Sequence, residues 1–310
     1  MHSPVHLHLP EVAASLALAA ARAVEADFAA SEQALSRFRP TAELARLNAC
    51  VGTWCAASPR LYVALAASFR AFRRTRGLFD PRVLGRLEAL GYAGAPHEDA
   101  PREATDDWLQ REPRARRVRL AAPLDLGGIG KGLGVRWGAR IIRRLSRNFL
   151  LNAGGDLLAC GTGPEGRGWQ VGVEDPRDPA QLIAALHLPT GGAVCTSSVA
   201  RNRWQHDGAT VHHLIDPRTG QPGGEGLLAV TVIGEDPAWT EVWSKALFLC
   251  GAQDIAQAAG PRPVLWVSEA GRLGMTDAAR PFVFWRAAGS ARAKDPDAGR
   301  VGGGQEPGKL

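Results

Sequence analysis

Between His212 and Gly220 the chain reads HHLIDPRTG, which places two imidazoles, a carboxylate, a turn proline and a turn glycine in one short segment. An imidazole titrates near neutrality and can take a proton from an attacking hydroxyl. His213 is therefore the candidate base, with Asp216 beside it at the rim of a rigid polar loop and Leu214 and Ile215 as its apolar anchors. Side chains alternate along extended backbone, so His212 faces the other way. A second segment, LDLGGIGKG from Leu124 to Gly132, begins as a strand and ends as a helix N-terminus. Its glycines would let backbone amides approach an anion while Lys131 supplies a point charge, which suits a pyrophosphate. The spacing matches neither a Walker A loop nor GxGxxG. Tight packing is the competing account of the glycines.

Two more segments carry polar groups at turns. In LLNAGGDLLACG, Leu150 to Gly161, the stretch Asn152–Asp156 reads as a hairpin turn with glycine at its positive-φ positions. In CTSSVARNRW, Cys195 to Trp204, the hydroxyls of Thr196, Ser197 and Ser198 follow a strand; they suit either a phosphate or ribose, or the cap of a following helix. A helix from Ala238 carries Trp239, Val242, Trp243, Ala246, Leu247 and Cys250 as its apolar stripe and sets Glu241 and Lys245 on the opposite side. Glu four residues before Lys is the favoured order of a surface ion pair. The alternative is that this side faces a cleft.

These four segments, in this order, resemble the ApbE family of FAD:protein FMN transferases. The likeness extends through SRFRPTAELARLN (Ser36 to Asn48), GLFDPRV (Gly77 to Val83) and GWQVGVEDP (Gly168 to Pro176) to the helix around Ala246, nearly the whole chain. The resemblance implies a flavin cleft between two lobes, FAD as donor, and transfer of FMN to a Ser or Thr hydroxyl of a separate acceptor protein with release of AMP. It implies His213, Lys131 and Asp216 as catalytic residues, and Gly128, Gly130, Lys131, Gly154, Gly155, Asp156, Thr196, Ser197 and His213 as contacts of FAD. Trp204 and Phe79 are candidates for stacking on the ligand. A carrier that binds FAD without transfer, and a pyrophosphatase that splits FAD into FMN and AMP, are the other readings.

The family's Mg²⁺ positions fall on Gly130, Glu241 and Lys245, where Glu and Lys replace the usual Asp and Thr. An ammonium ~4 Å from a divalent cation is repelled by roughly 8 kcal/mol at an effective dielectric near 20. Either Lys245 turns away or it replaces the cation. The expectation is replacement, with Lys131 and Lys245 neutralising the pyrophosphate and the need for Mg²⁺ weakened or lost.

Short apolar runs separated by Gly, Pro and Asp follow a helical first third, without regular βαβ alternation. That pattern predicts an α+β fold, with mixed or antiparallel sheets flanked by helices; the resemblance adds the two-lobed, T-fold-like single domain over residues 1–287. Predicted helices cover Glu11–Ala29, Ser31–Phe38, a segment capped by Thr41, Ser58–Arg76, Lys131–Leu145 and Ala238–Cys250. Leu124–Leu126 is predicted as a strand, and Val264–Val267 as the last core strand. Residues 288–310 are too rich in Gly, Pro, Lys and Asp to bury anything and read as a disordered tail. The net charge of +6 comes from arginine clusters and favours anionic partners, but no nucleic-acid motif accompanies it. Five cysteines without a CxxC pair suggest reduced thiols. With no apolar run of membrane length and no export signal, the expectation is a cytoplasmic protein without membrane insertion.

Overall fold

The protein, seen in a computed structural model, is described for residues 4–92, 106–200 and 202–287; the expected tail, 288–310, lies outside them. Helices α1 (Ala14–Leu35), α2 (Glu43–Asn48), α3 (Pro59–Arg74), α4 (Leu84–Ala89), α5 (Gly130–Ile142), α6 (Pro237–Phe248) and α7 (Gly251–Ala259) surround three principal sheets. The largest has seven strands in the order Val5–His8, Phe149–Ala153, Asp156–Cys160, Gly191–Ser198, Leu227–Gly234, Val264–Ser268 and Leu273–Met275. Every pairing between its strands is antiparallel, so the sheet is antiparallel rather than mixed.

Both faces of this sheet are covered, which explains why its strands are apolar on both sides. On one face Phe149, Leu151 and Ala193 pack against Val135, Ala139 and Ile142 of α5 and Val24 of α1. Further along that face Val230, Val232 and Trp266 meet Leu247 and Phe248 of α6 and Ile255 of α7. The other face carries Val194, Ile233 and Leu265 against Trp169, Ile183 and Leu186 of a three-stranded sheet, Trp169–Asp175, Asp178–Leu188 and Val283–Arg286. A separate core gathers α2, α3 and the small sheet of Cys55–Ala56, Leu109–Glu112 and Arg117–Leu120 around Leu133 of α5 and Val242 of α6. Helices α5 and α6 thus contribute to both halves and hold them in one unit.

The local rules hold at several ends. Ser58 accepts from the Leu61 amide at 3.3 Å and Pro59 takes the first position of α3, as an N-cap followed by proline should. The hairpin turn at Gly154 and Gly155 has φ of 63° and 96°, which a two-residue turn of this hand requires. Elsewhere tertiary contacts decide. The two helices expected over Glu11–Phe38 are one, α1. Thr41 does not cap α2, whose cap position is Ala42 without a side-chain bond. Leu124–Leu126 is not a strand: the Asn48 side chain donates to the Leu124 carbonyl and accepts its amide, both at 2.9 Å, in place of a neighbouring strand. Val264–Ser268 is followed by two more strands, Leu273–Met275 and Val283–Arg286. Among the described residues no helix is long and apolar enough to cross a membrane.

Candidate active site

A cavity of about 1300 Å³ opens beside the first strands of the large sheet, between the three-stranded sheet and the HHLIDPRTG loop. His213, Lys131, Asp156, Glu241 and Lys245 all line it, together with Gly128, Gly130, Gly154, Gly155, Thr196 and Ser197. Residues far apart along the chain therefore meet at one hollow.

The floor is built by the N-terminus of α5 and the strand Asp156–Cys160. Lys131 is ion-paired with Asp156, whose second oxygen accepts from the Thr196 amide at 3.2 Å. Burial opposes the Lys131 charge, but Asp156 and Glu241 outweigh it and hold the ammonium above its ordinary range. Glu241 accepts from the Gly132 amide at 2.7 Å through Oε2, while its Oε1 is buried without a partner. Burial, then Asp156, push this carboxyl well above the usual carboxylate range.

Of the two readings for Glu241 and Lys245, the surface ion pair is absent among the described residues and both line the cavity: Glu241 is buried and bonded to α5, because this side of α6 is itself packed against α5 and the large sheet. Lys245 lines the cavity, half-buried, and its pKa is lowered by burial in spite of Asp125 and Glu241.

The glycines of LDLGGIGKG have separate reasons. A side chain at Gly132 would lie 2.5 Å from the Pro237 carbonyl, so α5 and α6 can cross only there without one. At Gly130 the space is open. The expected row of free amides is largely spoken for: Gly127 donates to Asp125 at 2.6 Å, Gly130 to the Leu126 carbonyl at 2.8 Å and Gly132 to Glu241. Thr196 and Ser197 lie inside the strand Gly191–Ser198 rather than after it. Their hydroxyls bond those of Thr231 and Ser244, each at 2.9 Å, so helix capping is not their task.

The wall is the HHLIDPRTG loop. The His213 ring is enclosed, with Nδ1 buried and unpartnered; burial first, then Lys245 and His212, lower its pKa to about 3. His212 instead accepts from the Leu214 amide at 3.3 Å. Asp216, expected at the rim of the loop, lies inside it instead. It is buried and accepts from the Arg218 amide at 2.8 Å and from the Arg218 guanidinium at 2.7 Å, and it holds the loop rather than His213.

The sequence reading missed the groups around Asp125. This carboxylate binds Arg37 at 2.5 Å and the Gly127 amide, and the Arg37 guanidinium lies 4.0 Å over the Phe38 ring and 5.2 Å over Tyr92. Tyr92 in turn stacks on His213 with ring centroids 6.3 Å apart and on Trp204 at 4.9 Å. The Asp-x-Gly spacing of Asp125 to Gly127 is a turn signal that could have flagged the first of these; nothing local marks Tyr92. Phe79 is a core residue, 2% exposed.

The donor set does not fit a divalent cation. Of the expected ligands, Glu241 spends one oxygen on α5 and Lys245 brings an ammonium to the place of a second donor. Among the described residues no three His, Cys, Asp or Glu side chains gather into a metal site.

Comparison with known proteins supplies the family and the fold. The ApbE family model matches residues 1–265. An FAD:protein FMN transferase of Rhodobacter capsulatus is 31% identical over 223 residues, 66% of this chain and 41% of that protein. One of Chlamydia trachomatis is 28% identical over 70% of this chain and 71% of its own length. The chain spans about two-fifths of the length of several curated relatives it matches, 39% for one of Klebsiella pneumoniae. Among solved structures, the ApbE protein of Thermotoga maritima superposes with a TM-score of 0.78 at 25% identity, covering 89% of this chain and 94% of that one. The flavin transferase ApbE of Vibrio cholerae shares the fold, with a TM-score of 0.73 at 21% identity over 91% and 96%.

Proposed function

The chain belongs to the ApbE family, and on that premise we propose that it transfers FMN from FAD to a Ser or Thr hydroxyl of an acceptor protein. The observation that carries this reading is the meeting of two lysine ammoniums and an enclosed imidazole on one cavity large enough for a dinucleotide. The acceptor oxygen attacks the FMN-side phosphorus, the P–O bond to the AMP phosphate breaks, and AMP leaves with the bridging oxygen. His213 takes the hydroxyl proton. Its lowered pKa keeps the ring neutral and able to accept, and an arriving dianionic ligand raises it again by offsetting Lys245. Lys131, held by Asp156, positions the diphosphate, while Asp216 fixes the loop. No step is routed through a metal. Five free thiols suit a reducing compartment, and we place the protein in the cytoplasm on that ground.

The test is to incubate the protein with FAD and a candidate acceptor and to weigh the products. A gain of one FMN on the acceptor, with AMP released, is expected. FMN and AMP free in solution would make it a pyrophosphatase, and intact bound FAD a carrier; either outcome overturns the proposal.

A further inference from the structure

Three carboxylates, Asp125, Glu241 and Asp156, act on the Lys245 charge, and all three are committed elsewhere. Asp125 serves Arg37 and the Gly127 amide, Asp156 serves Lys131 and the Thr196 amide, and Glu241 accepts from Gly132. Lys245 itself takes part in no hydrogen bond or ion pair among the described residues; it is half-buried and lines the cavity. A partly buried ammonium without a hydrogen-bonded counter-ion is costly, and such a charge is retained where a ligand supplies the missing anion. The ammonium is also held at a definite place. A Cβ on Gly128 would lie 2.6 Å from Nζ and 3.0 Å from Cδ and Cε, so the absent side chain of Gly128 is the space that Lys245 fills.

We propose that Lys245, seated on Gly128, is the fixed cation of the ligand's diphosphate and stands in for a divalent metal, so that FAD binds this chain without one. The inference rests on the cavity being the FAD site but not on transfer taking place. It separates the roles of the two lysines. Lys131 is already neutralised by Asp156 and adds direction, whereas Lys245 adds net positive charge.

Binding of FAD, ADP and riboflavin to the full chain is measured by calorimetry, in excess chelator and again with millimolar Mg²⁺. For the unaltered protein the FAD and ADP affinities are expected to agree within about threefold in the two buffers, since the resident ammonium replaces the ion. Lys245→Met is expected to weaken FAD and ADP by about 10- to 100-fold and to leave riboflavin, which has no phosphate, within about twofold. The same variant should raise the melting temperature of the ligand-free protein, because it removes an uncompensated, partly buried charge; a merely structural lysine would lower it. Gly128→Ala should weaken ADP in the unaltered background and cost nothing further beside Lys245→Met. Chelator-abolished binding restored by Mg²⁺ overturns the proposal, as do equal losses for ADP and riboflavin, or no ADP binding at all. Loss of transfer with this binding pattern intact overturns only the reaction and leaves the cation assignment standing.

Discussion

At the floor of the cavity Lys131 is paired with Asp156, and Asp156 is in turn held by the Thr196 amide; at the wall His213 keeps Nδ1 buried with no hydrogen-bond partner among the described residues. The floor stands on a strand of the large sheet and the first turn of a helix that joins both halves of the molecule. The wall stands on a loop closed by its own Asp216 and Arg218. Satisfied groups give a fixed geometry and contribute to stability, while unsatisfied ones are held ready for an outside partner. Lys245 lies on the floor by position and goes with His213 by character, since burial lowers both and the Lys245 charge lowers His213 further.

The contrast is broken most severely by His213→Ala. If the wall does chemistry and the floor does binding, transfer to the acceptor should fall by about 10²- to 10⁴-fold, the range for a lost general base, with FAD affinity changed by less than about threefold. Mass spectrometry of the acceptor reads the first and flavin fluorescence the second; an equal fall in both would make His213 a binding residue. Lys131→Met attacks the other side. It strands Asp156, whose side chain is 3% exposed, and should weaken FAD by about 10-fold or more while lowering stability by about 2 to 4 kcal/mol, discounted from a fully buried pair because Lys131 opens on the cavity. Asp156→Asn combined with Lys131→Met should recover much of that stability and none of the affinity. A melting temperature unmoved by the single change would mean that the pair is solvated.

The wall was the more legible of the two regions as chemistry and the less legible as structure. HHLIDPRTG names a base and a turn, and the imidazole does reach the cavity. That Asp216 serves the loop was not legible, because a carboxylate two residues before an arginine closes on it locally, a geometry that a list of residue types does not reveal. The same Asp-Pro-Arg turn recurs at Asp80–Arg82 and Asp175–Arg177, with the arginine guanidinium at 2.7 and 2.6 Å from the aspartate. A search for long internal repeats passes over three copies of so short a device. The floor was legible in its hairpin, where Gly154 and Gly155 announce the turn, and in Lys131 beside it. Asn48 holding Leu124, Arg37 on Asp125 and Tyr92 on His213 were not legible, because each joins segments brought together only by the whole fold. For α6 the apolar stripe was read only in part, since Trp239, Trp243 and Cys250 are half-buried while Ala238, Thr240, Ser244 and Phe248 are buried; the choice between a surface pair and a cleft for Glu241 and Lys245 was not legible, because the crossing at Gly132 that buries Glu241 belongs to the whole fold.

The three turns sharpen the comparison, since they share one local geometry and differ in what hangs from them. Asp216→Ala should reduce transfer by about 10-fold with FAD binding held within about twofold, because the loop that presents His213 loses two charge-assisted bonds. Asp175→Ala removes the same contact from a turn that lines the cavity but does not carry the imidazole, and should change transfer at saturating FAD by less than about twofold at a similar small cost in stability. Matching losses from the two substitutions would show that the turn acts through overall stability and not through the imidazole.

The smallest effect concerns pH. In the ligand-free protein the His213 pKa is lowered to about 3 and that of His212 to about 4, so both rings are neutral over the range in which an ordinary histidine gains its proton. For activity, kcat/KM reports the free protein, and it should change by less than about twofold between pH 7.5 and 5.5, with no fall near 6.5. For stability the sign is the reverse of a salt-bridged histidine. The unfolded chain binds a proton near pH 6.5 and the folded one does not, so this contribution is complete above 6.5 and is lost as pH falls from there towards 4 and then 3. His213→Gln should flatten that acid limb of the melting curve while leaving the upper range unchanged. A tenfold fall in kcat/KM centred near pH 6.5 would show instead that the ring titrates as an exposed one, and the contrast between an anchored floor and an enclosed wall would fail at its most sensitive point.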